Sequence, residues 1–135
     1  MQEEKETKKT EISVVVPVFN EEDNVEKLHT KIKEECAKLG RTFEIIFIND
    51  GSTDRTAEKC RNLSPLRLIN FRKNYGQTAA FDAGFQAARG EVIITMDGDL
   101  QNDPADIAKL LEKMDEGFDV VSGWRFERKD SLRKK

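Results

Sequence analysis

The sequence predicts an α/β fold, a three-layer sandwich around a mainly parallel sheet. Three observations lead there. Apolar, β-branched runs alternate with segments of helical periodicity along most of the chain. The runs are continuous rather than alternating, as strands covered on both faces require. The polar, glycine-rich segments follow the strands, while the connections that enter the strands read as ordinary caps and turns. A parallel sheet binds ligands beyond the carboxyl ends of its strands, so this asymmetry is itself functional evidence.

The elements follow in order. "ISVVVPVF" begins as a β-branched strand, and Pro17 is expected to stop it. "EEDNVEKLHTKIKEECAKLG" sets Val25, Leu28, Ile32, Cys36 and Leu39 at helical spacing, with Gly40 as a C-terminal stop. "FEIIFI" is a second strand and "NDGSTD" a loop, in which Thr53 or Asp54 can cap the helix "RTAEKCRNL". "LRLINF" is a third strand. "RKNYGQ" leads into the helix "TAAFDAGFQAA", which Gly90 closes. "EVIITM" is a fourth strand. An aspartate-rich loop follows it, then a helix with Pro104 in its first turn and Ile107, Leu110, Leu111 and Met114 on one stripe. "FDVVSG" is a fifth strand.

Composition narrows the class. The chain has 135 residues, enough for one domain with a single substantial core. Charged residues make up 36% and apolar residues 37%, so the helix faces are heavily charged. No run approaches the roughly 18 apolar residues of a membrane span, and no secretory signal follows the start. Residues 1–11 read as a flexible leader, 12–125 as the folded domain and 126–135 as a basic tail. From Trp124 onward six basic residues face two acidic ones, a composition suited to phosphates or an anionic membrane surface, or simply to a solvated tail. Cys36 and Cys60 read as free thiols of a cytoplasmic protein, without zinc-ligand spacing. His29, inside the first helix, reads as a surface or boundary residue, and Trp124 as a packing residue.

The most pointed motif is Asp97-Gly98-Asp99 at the end of the fourth strand. Two like charges there repel unless something offsets them. A hard divalent cation, Mg²⁺ or Mn²⁺, takes one or two carboxylates plus substrate phosphates, and Gln101 offers another oxygen. The competing reading is a polar turn in which Asp103 or Asn102 caps the next helix. Asp50 and Gly51 are likewise either a turn or a carboxylate for a ribose or base N–H. Glu22 and Asp23 fit the positive end of a helix dipole, whereas Glu21 is close enough to the strand end to face a cleft. Arg72 and Lys73 follow the third strand, and Arg125 and Arg128 follow the fifth. Two basic pairs flanking an acidic loop suit a diphosphate and its cation. Walker A, G-x-G-x-x-G and G-x-S-x-G motifs are absent, which weakens kinase, dinucleotide-binding and α/β-hydrolase readings.

Taken together, "VVVPVFNEEDNV", "INDGSTDRT", "NYGQTAAFDAGFQAARGEVIITMDGDLQNDP" and "DVVSGWR" resemble the family 2 glycosyltransferases. Within them the chain looks most like the dolichyl-phosphate mannose synthase and bacterial polyprenyl-phosphate sugar transferase branch. The resemblance runs from about Ile12 to Arg125. It implies a GT-A nucleotide-diphospho-sugar domain in which Pro17, Phe19 and Glu21 line the nucleoside pocket and Asp50 contacts base or ribose. It further implies that Asp97 lies against the ribose and the metal-bound diphosphate. Asp99 is then the main metal ligand, Gln101 joins the metal site, and Arg125 approaches the phosphates. Arg72 and Lys73 are weaker matches for phosphate contacts, and Arg128 joins the phosphate-binding candidates on its charge alone.

The expected activity is inverting, metal-dependent transfer of a sugar from a UDP-sugar or GDP-sugar to a lipid-phosphate or glycan acceptor. Polyprenyl phosphate is favoured because it carries its own anionic oxygen and the chain shows no convincing general base. Such a role belongs to cell-envelope glycan synthesis at the inner face of the membrane, with no nucleic-acid partner. Family members continue past the Gly-x-Arg motif, so this chain looks like the nucleotide-binding half of a longer enzyme. The sheet edge left by that early end is one that dimerisation would cover. The alternative is a non-catalytic sugar-nucleotide-binding or subunit-assembly module. A phosphatase using an Asp-x-Asp pair is disfavoured, because that pair would follow the first strand rather than the fourth.

Overall fold

The computed structural model describes residues 9–96, 103–115 and 125–128. Its sheet has five strands in the order β3-β2-β1-β4-β5. The strands are β1 (Ile12–Val18), β2 (Phe43–Asn49), β3 (Arg67–Asn70), β4 (Val92–Thr95) and β5 (Arg125–Arg128). The first four run parallel and β5 pairs antiparallel with β4. The helices are α1 (Val25–Lys38), α2 (Thr56–Cys60), α3 (Gln77–Ala87) and α4 (Ile107–Asp115), the last preceded by a 3₁₀ turn at Pro104–Asp106.

The continuous apolar runs are explained by two cores, one on each face. Side chains of a strand alternate between faces. Ile12, Val14, Val16 and Val18 of β1 join Ile45, Phe47 and Ile94 beneath α1 and α4. Val15 joins Ile46, Ile48 and Ile93 beneath α3. α1 contributes Val25, Leu28, Ile32 and Cys36, the stripe its sequence spacing predicts, each fully buried. Burying a side chain of this size stabilises by roughly 1.5–3 kcal/mol, so this face holds α1 far more firmly than its helix propensity would. Gly84 lets α3 lie close to the sheet. A Cβ at that position would come within 2.3 Å of Val15 Cγ1.

Several expectations are corrected. β1 does not stop at Pro17 but runs through it to Val18. The carbonyl of Val15 accepts from the Met96 N–H and that of Val18 from the Asp50 N–H. Pro17 therefore turns its backbone toward β4 beyond the end of their ladder, where a missing N–H breaks no bond. His29 is buried, not a boundary residue: it is 3% exposed. Its Nε2 donates to the Pro65 carbonyl at 2.8 Å, and its ring meets Phe47 edge-on. Residues Arg125–Arg128, read as the end of the domain and the start of the basic tail, form β5. The strand expected at 118–123 lies outside the described residues. α2 is shorter than its sequence pattern, ending at Cys60.

Asp103 caps the 3₁₀ turn before α4, its Oδ1 accepting from the Ala105 N–H. At α2 the N-cap position is Arg55, without a side-chain cap bond, and Asp54, one residue earlier, accepts from the Thr56 N–H through Oδ1. Gly40 follows α1 with a φ of 69°. Cys36 and Cys60 are free and buried. Burial pushes their thiols up to about 12 and about 11, helped by Glu35 and Glu26 respectively. At the amino end of the sheet, Glu44 accepts from the Ser13 hydroxyl, the Arg89 N–H and the Arg67 guanidinium, clasping β1, β2 and β3 to the end of α3.

Candidate functional site

β2 and β3 lie on one side of β1, and the chain then returns through α3 to set β4 on the other. The carboxyl ends of β1 and β4 therefore flank the topological switch point, where α/β sheets open a crevice. Residues Phe19–Glu22 leave β1 there, and the β2 loop stands beside them.

These two loops are sewn together by bonds that use backbone groups. Asn20, at φ 52°, donates its N–H to Ser52 Oγ at 2.9 Å, and its Oδ1 accepts from the Thr53 N–H at 2.8 Å. The Glu21 N–H donates to Thr56 Oγ1 at 2.9 Å, and the Arg55 N–H to Glu22 Oε1 at 2.8 Å. Desolvation works against the charge on Asp54. Hydrogen bonds from the Thr56 hydroxyl, the Thr56 N–H and the Glu22 N–H outweigh it and hold the carboxyl below its ordinary range. The Glu21 carboxylate accepts from Asn24 Nδ2 at 3.0 Å and is half-buried beside the strand end.

Asp50 does the same for the third loop. It is 4% exposed, and its carboxylate accepts from the Tyr75 N–H at 2.8 Å and the Gly76 N–H at 3.1 Å. Its carbonyl accepts from Asn74 Nδ2 at 3.2 Å. Gly51, at φ 73°, lies so close to this loop that a Cβ would meet the Lys73 carbonyl carbon at 2.2 Å. Asp50 thus positions the 72–76 loop, a role its sequence context did not indicate.

On that loop Arg72 and Lys73 are exposed, and Lys73 Nζ lies 5.4 Å from the centre of the Tyr75 ring. Phe19 and Tyr75 are 43% and 55% exposed, the large apolar side chains left in solvent among the described residues. Pro17 is half-buried at the crevice. The register of β5 separates its two arginines: Arg125 pairs with Thr95 at the carboxyl end of β4, Arg128 with Val92 at the amino end. At about 3.3 Å per residue their Cα atoms stand about 10 Å apart along the strand.

Asp97, Asp99 and Gln101 lie outside the described residues. The bond from the Met96 N–H to the Val15 carbonyl, 3.1 Å long, keeps the chain in the ladder up to the residue before Asp97. Two carboxylates and an amide carbonyl are hard oxygen donors, the kind that suits Mg²⁺ or Mn²⁺. Among the described residues no group of three or more His, Cys, Asp or Glu side chains could hold a metal ion. A cavity of about 260 Å³ opens between α3 and the end of β4, lined by Thr78, Phe81, Asp82, Phe85 and Thr95. The sequence reading missed this cavity, and it missed the stitching roles of Asn20, Ser52 and Thr56. Their placement after strand ends was the available signal.

Residues 13–135 match the sequence model of glycosyl transferase family 2. The chain belongs to glycosyl transferase family 2. It is 45% identical over 125 residues to an undecaprenyl-phosphate 4-deoxy-4-formamido-L-arabinose transferase of Pseudomonas aeruginosa. That match covers 89% of this chain and 37% of the relative, so the chain spans little more than a third of the relative's length. The family 2 fold is shared with glucosyl-3-phosphoglycerate synthase of Mycobacterium tuberculosis in complex with UDP. The TM-score is 0.67 at 25% identity, over 85% of this chain and 43% of that one. It is shared as well with S. aureus TarS 1–349 in complex with UDP, at TM-score 0.59 and 26% identity, over 79% and 32% of the two chains. The α/β sheet of this chain is accordingly of the GT-A type.

Proposed function

We propose that this chain carries the donor site of an inverting, metal-dependent glycosyl transfer from a nucleotide-diphospho-sugar to a polyprenyl phosphate. The observation that carries the reading is the convergence of three stitched loops on the switch-point crevice of a family 2 domain. They carry Phe19, Glu21, Arg72 and Lys73, and the buried Asp50 ties the second loop to the third. The relative is named for undecaprenyl phosphate, which supports a lipid phosphate here. The UDP complexes of two solved neighbours support a nucleoside diphosphate.

In this reading Pro17, Phe19 and Glu21 line the nucleoside pocket, and Asp50 holds the loop that closes it. Asp97, Asp99 and Gln101 would hold Mg²⁺ or Mn²⁺, which would supply positive charge against the departing diphosphate. Asp97 also borders the ribose. Arg125, with Arg72 and Lys73, steadies the phosphate oxygens. The acceptor's phosphate oxygen forms a bond to the anomeric carbon as the bond to the diphosphate breaks, and attack from the opposite face inverts that carbon. The oxygen is already anionic near neutral pH, so no general base is required. No helix among the described residues is long and apolar enough to cross a membrane. The basic run from Arg125 to Lys135 suits contact with an anionic lipid surface at the inner face.

Calorimetric titration of UDP and of GDP, with and without Mn²⁺, tests the donor site on the wild type and on Asp99→Ala. Metal-dependent binding that the substitution abolishes is the expected result. Equal binding by Asp99→Ala sinks the metal assignment, and no binding of either nucleotide by the wild type sinks the donor site.

A further inference from the structure

We infer that the Tyr75 ring is a stacking face for the donor's nucleobase, held in position by the Asp50 carboxylate. The inference rests on the reading of the crevice as a nucleoside diphosphate site and extends it to a residue no sequence motif had singled out. Tyr75 is 55% exposed and Phe19 43%, and both sit on carboxyl-end loops. Apolar ring surface left in water forgoes the stabilisation that burial would bring, so a ligand that covers the Tyr75 ring gains it.

The Tyr75 ring is not on a loose tether. Its backbone N–H donates to Asp50 Oδ1 at 2.8 Å, and the next N–H, of Gly76, donates to Oδ2 at 3.1 Å. Phe71 meets the ring at 84° with centroids 5.6 Å apart, and Lys73 Nζ lies 5.4 Å from its centre. Fixing the ring before binding removes part of the ordering cost that a ligand would otherwise meet. Asp50 also donates its own N–H to the Val18 carbonyl, one residue before Phe19. One buried carboxylate residue therefore ties together the two backbone segments that carry the exposed rings.

The chemistry of the patch selects its ligand. An exposed aromatic ring with an ammonium over it, 5.4 Å from its centre, suits a flat heterocycle carrying an anionic diphosphate.

Tyr75 is the single tyrosine of the chain, so 3-fluorotyrosine labelling gives one ¹⁹F resonance that reports on this ring alone. We expect that resonance to move when UDP or GDP is added with Mg²⁺, and to stay in place with Mg²⁺ and pyrophosphate, which has no base. Tyr75→Leu and Tyr75→Ala should weaken nucleotide binding about five- to tenfold, and Tyr75→Phe and Tyr75→Trp by less than about twofold. Asp50→Asn, whose amide nitrogen cannot accept the second N–H, should shift the resonance of the free protein before any ligand is present. Wild-type affinity in Tyr75→Leu, or equal movement with pyrophosphate, overturns the stacking role while leaving the nucleotide site intact. An unmoved resonance in Asp50→Asn overturns the positioning role. Failure of the wild type to bind either nucleotide overturns the site and this inference together.

Discussion

Replacing Gly51 with alanine should damage both the fold and the donor site, and a second glycine shows by how much. Gly51 and Gly40 have nearly the same backbone, with φ of 73° and 69°. Their surroundings differ. A Cβ on Gly40 meets nothing within 4 Å, while one on Gly51 meets Lys73 C at 2.2 Å, Asn74 N at 2.4 Å and Lys73 O at 2.7 Å. A left-handed conformation costs a residue with a Cβ about 1–2 kcal/mol. Gly40→Ala should lose about that much. Gly51→Ala adds an overpacking cost of about 1–3 kcal/mol, because the obstructing atoms are backbone and cannot rotate aside. Its total loss is then about 2–5 kcal/mol. The difference between the variants isolates the clash, since the conformational cost cancels. Urea unfolding followed by far-UV circular dichroism measures both losses. Nucleotide titration on the same samples reads the second effect. The 72–76 loop must move in Gly51→Ala, carrying Arg72, Lys73 and Tyr75 with it, whereas Gly40 lies at the amino-end side of the sheet. Binding should therefore fall in Gly51→Ala alone. Equal stabilities for the two variants, or unchanged nucleotide affinity in Gly51→Ala, would refute the claim that this contact sets the loop.

Two further predictions concern charge and reactivity. Burial works against the charge on Glu44, but hydrogen bonds from Ser13, Arg89 and Arg67, together with the Arg67 charge, hold its carboxyl below the ordinary value of 4.5. A depressed folded-state value means stability that is present above pH 4.5 and lost as pH falls through the lower folded value. Glu44→Gln should thus cost about 1–3 kcal/mol at pH 7, with the gap to wild type closing in acid; a gap that stays constant down to pH 2 contradicts this. Cys36 and Cys60, buried with thiols raised to about 12 and about 11, should resist iodoacetamide at pH 8 in the native state and both react in urea. Rapid native labelling of either would contradict their burial.

The order of strands and helices was legible because each strand is a run of residues whose alternate members are buried on opposite faces. Val14 and Val15 look alike in sequence and fill different cores. Pro17 misled for an equally local reason. Whether a proline ends a strand depends on which neighbour its nitrogen faces, and that depends on where β4 stops pairing. His29 looked like a boundary residue because its partner, the Pro65 carbonyl, is 36 positions away. Asp50 was legible as a carboxylate at a strand end. What it holds, two N–H groups 25 and 26 residues on, was not. The pairing of Arg125 with Thr95 and of Arg128 with Val92 likewise needed the register of β5.

The fold divides its polar groups between two ends of the sheet. At the amino end, Glu44 and Arg67 spend their charges on each other and on neighbouring groups. At the carboxyl end the loops hold one another through main-chain N–H groups bonded to short or buried side chains, those of Ser52, Thr56, Asn20 and Asp50. Phe19, Arg72, Lys73 and Tyr75 are left exposed on loops already fixed by those bonds. A ligand that engages them need not order the backbone that carries them, so more of the contact energy appears as affinity. Site residues and scaffold residues should then separate by experiment. Substitutions among Phe19, Arg72, Lys73 and Tyr75 should change nucleotide affinity with little effect on unfolding. Substitutions among Asn20, Asp50, Gly51 and Thr56 should change both.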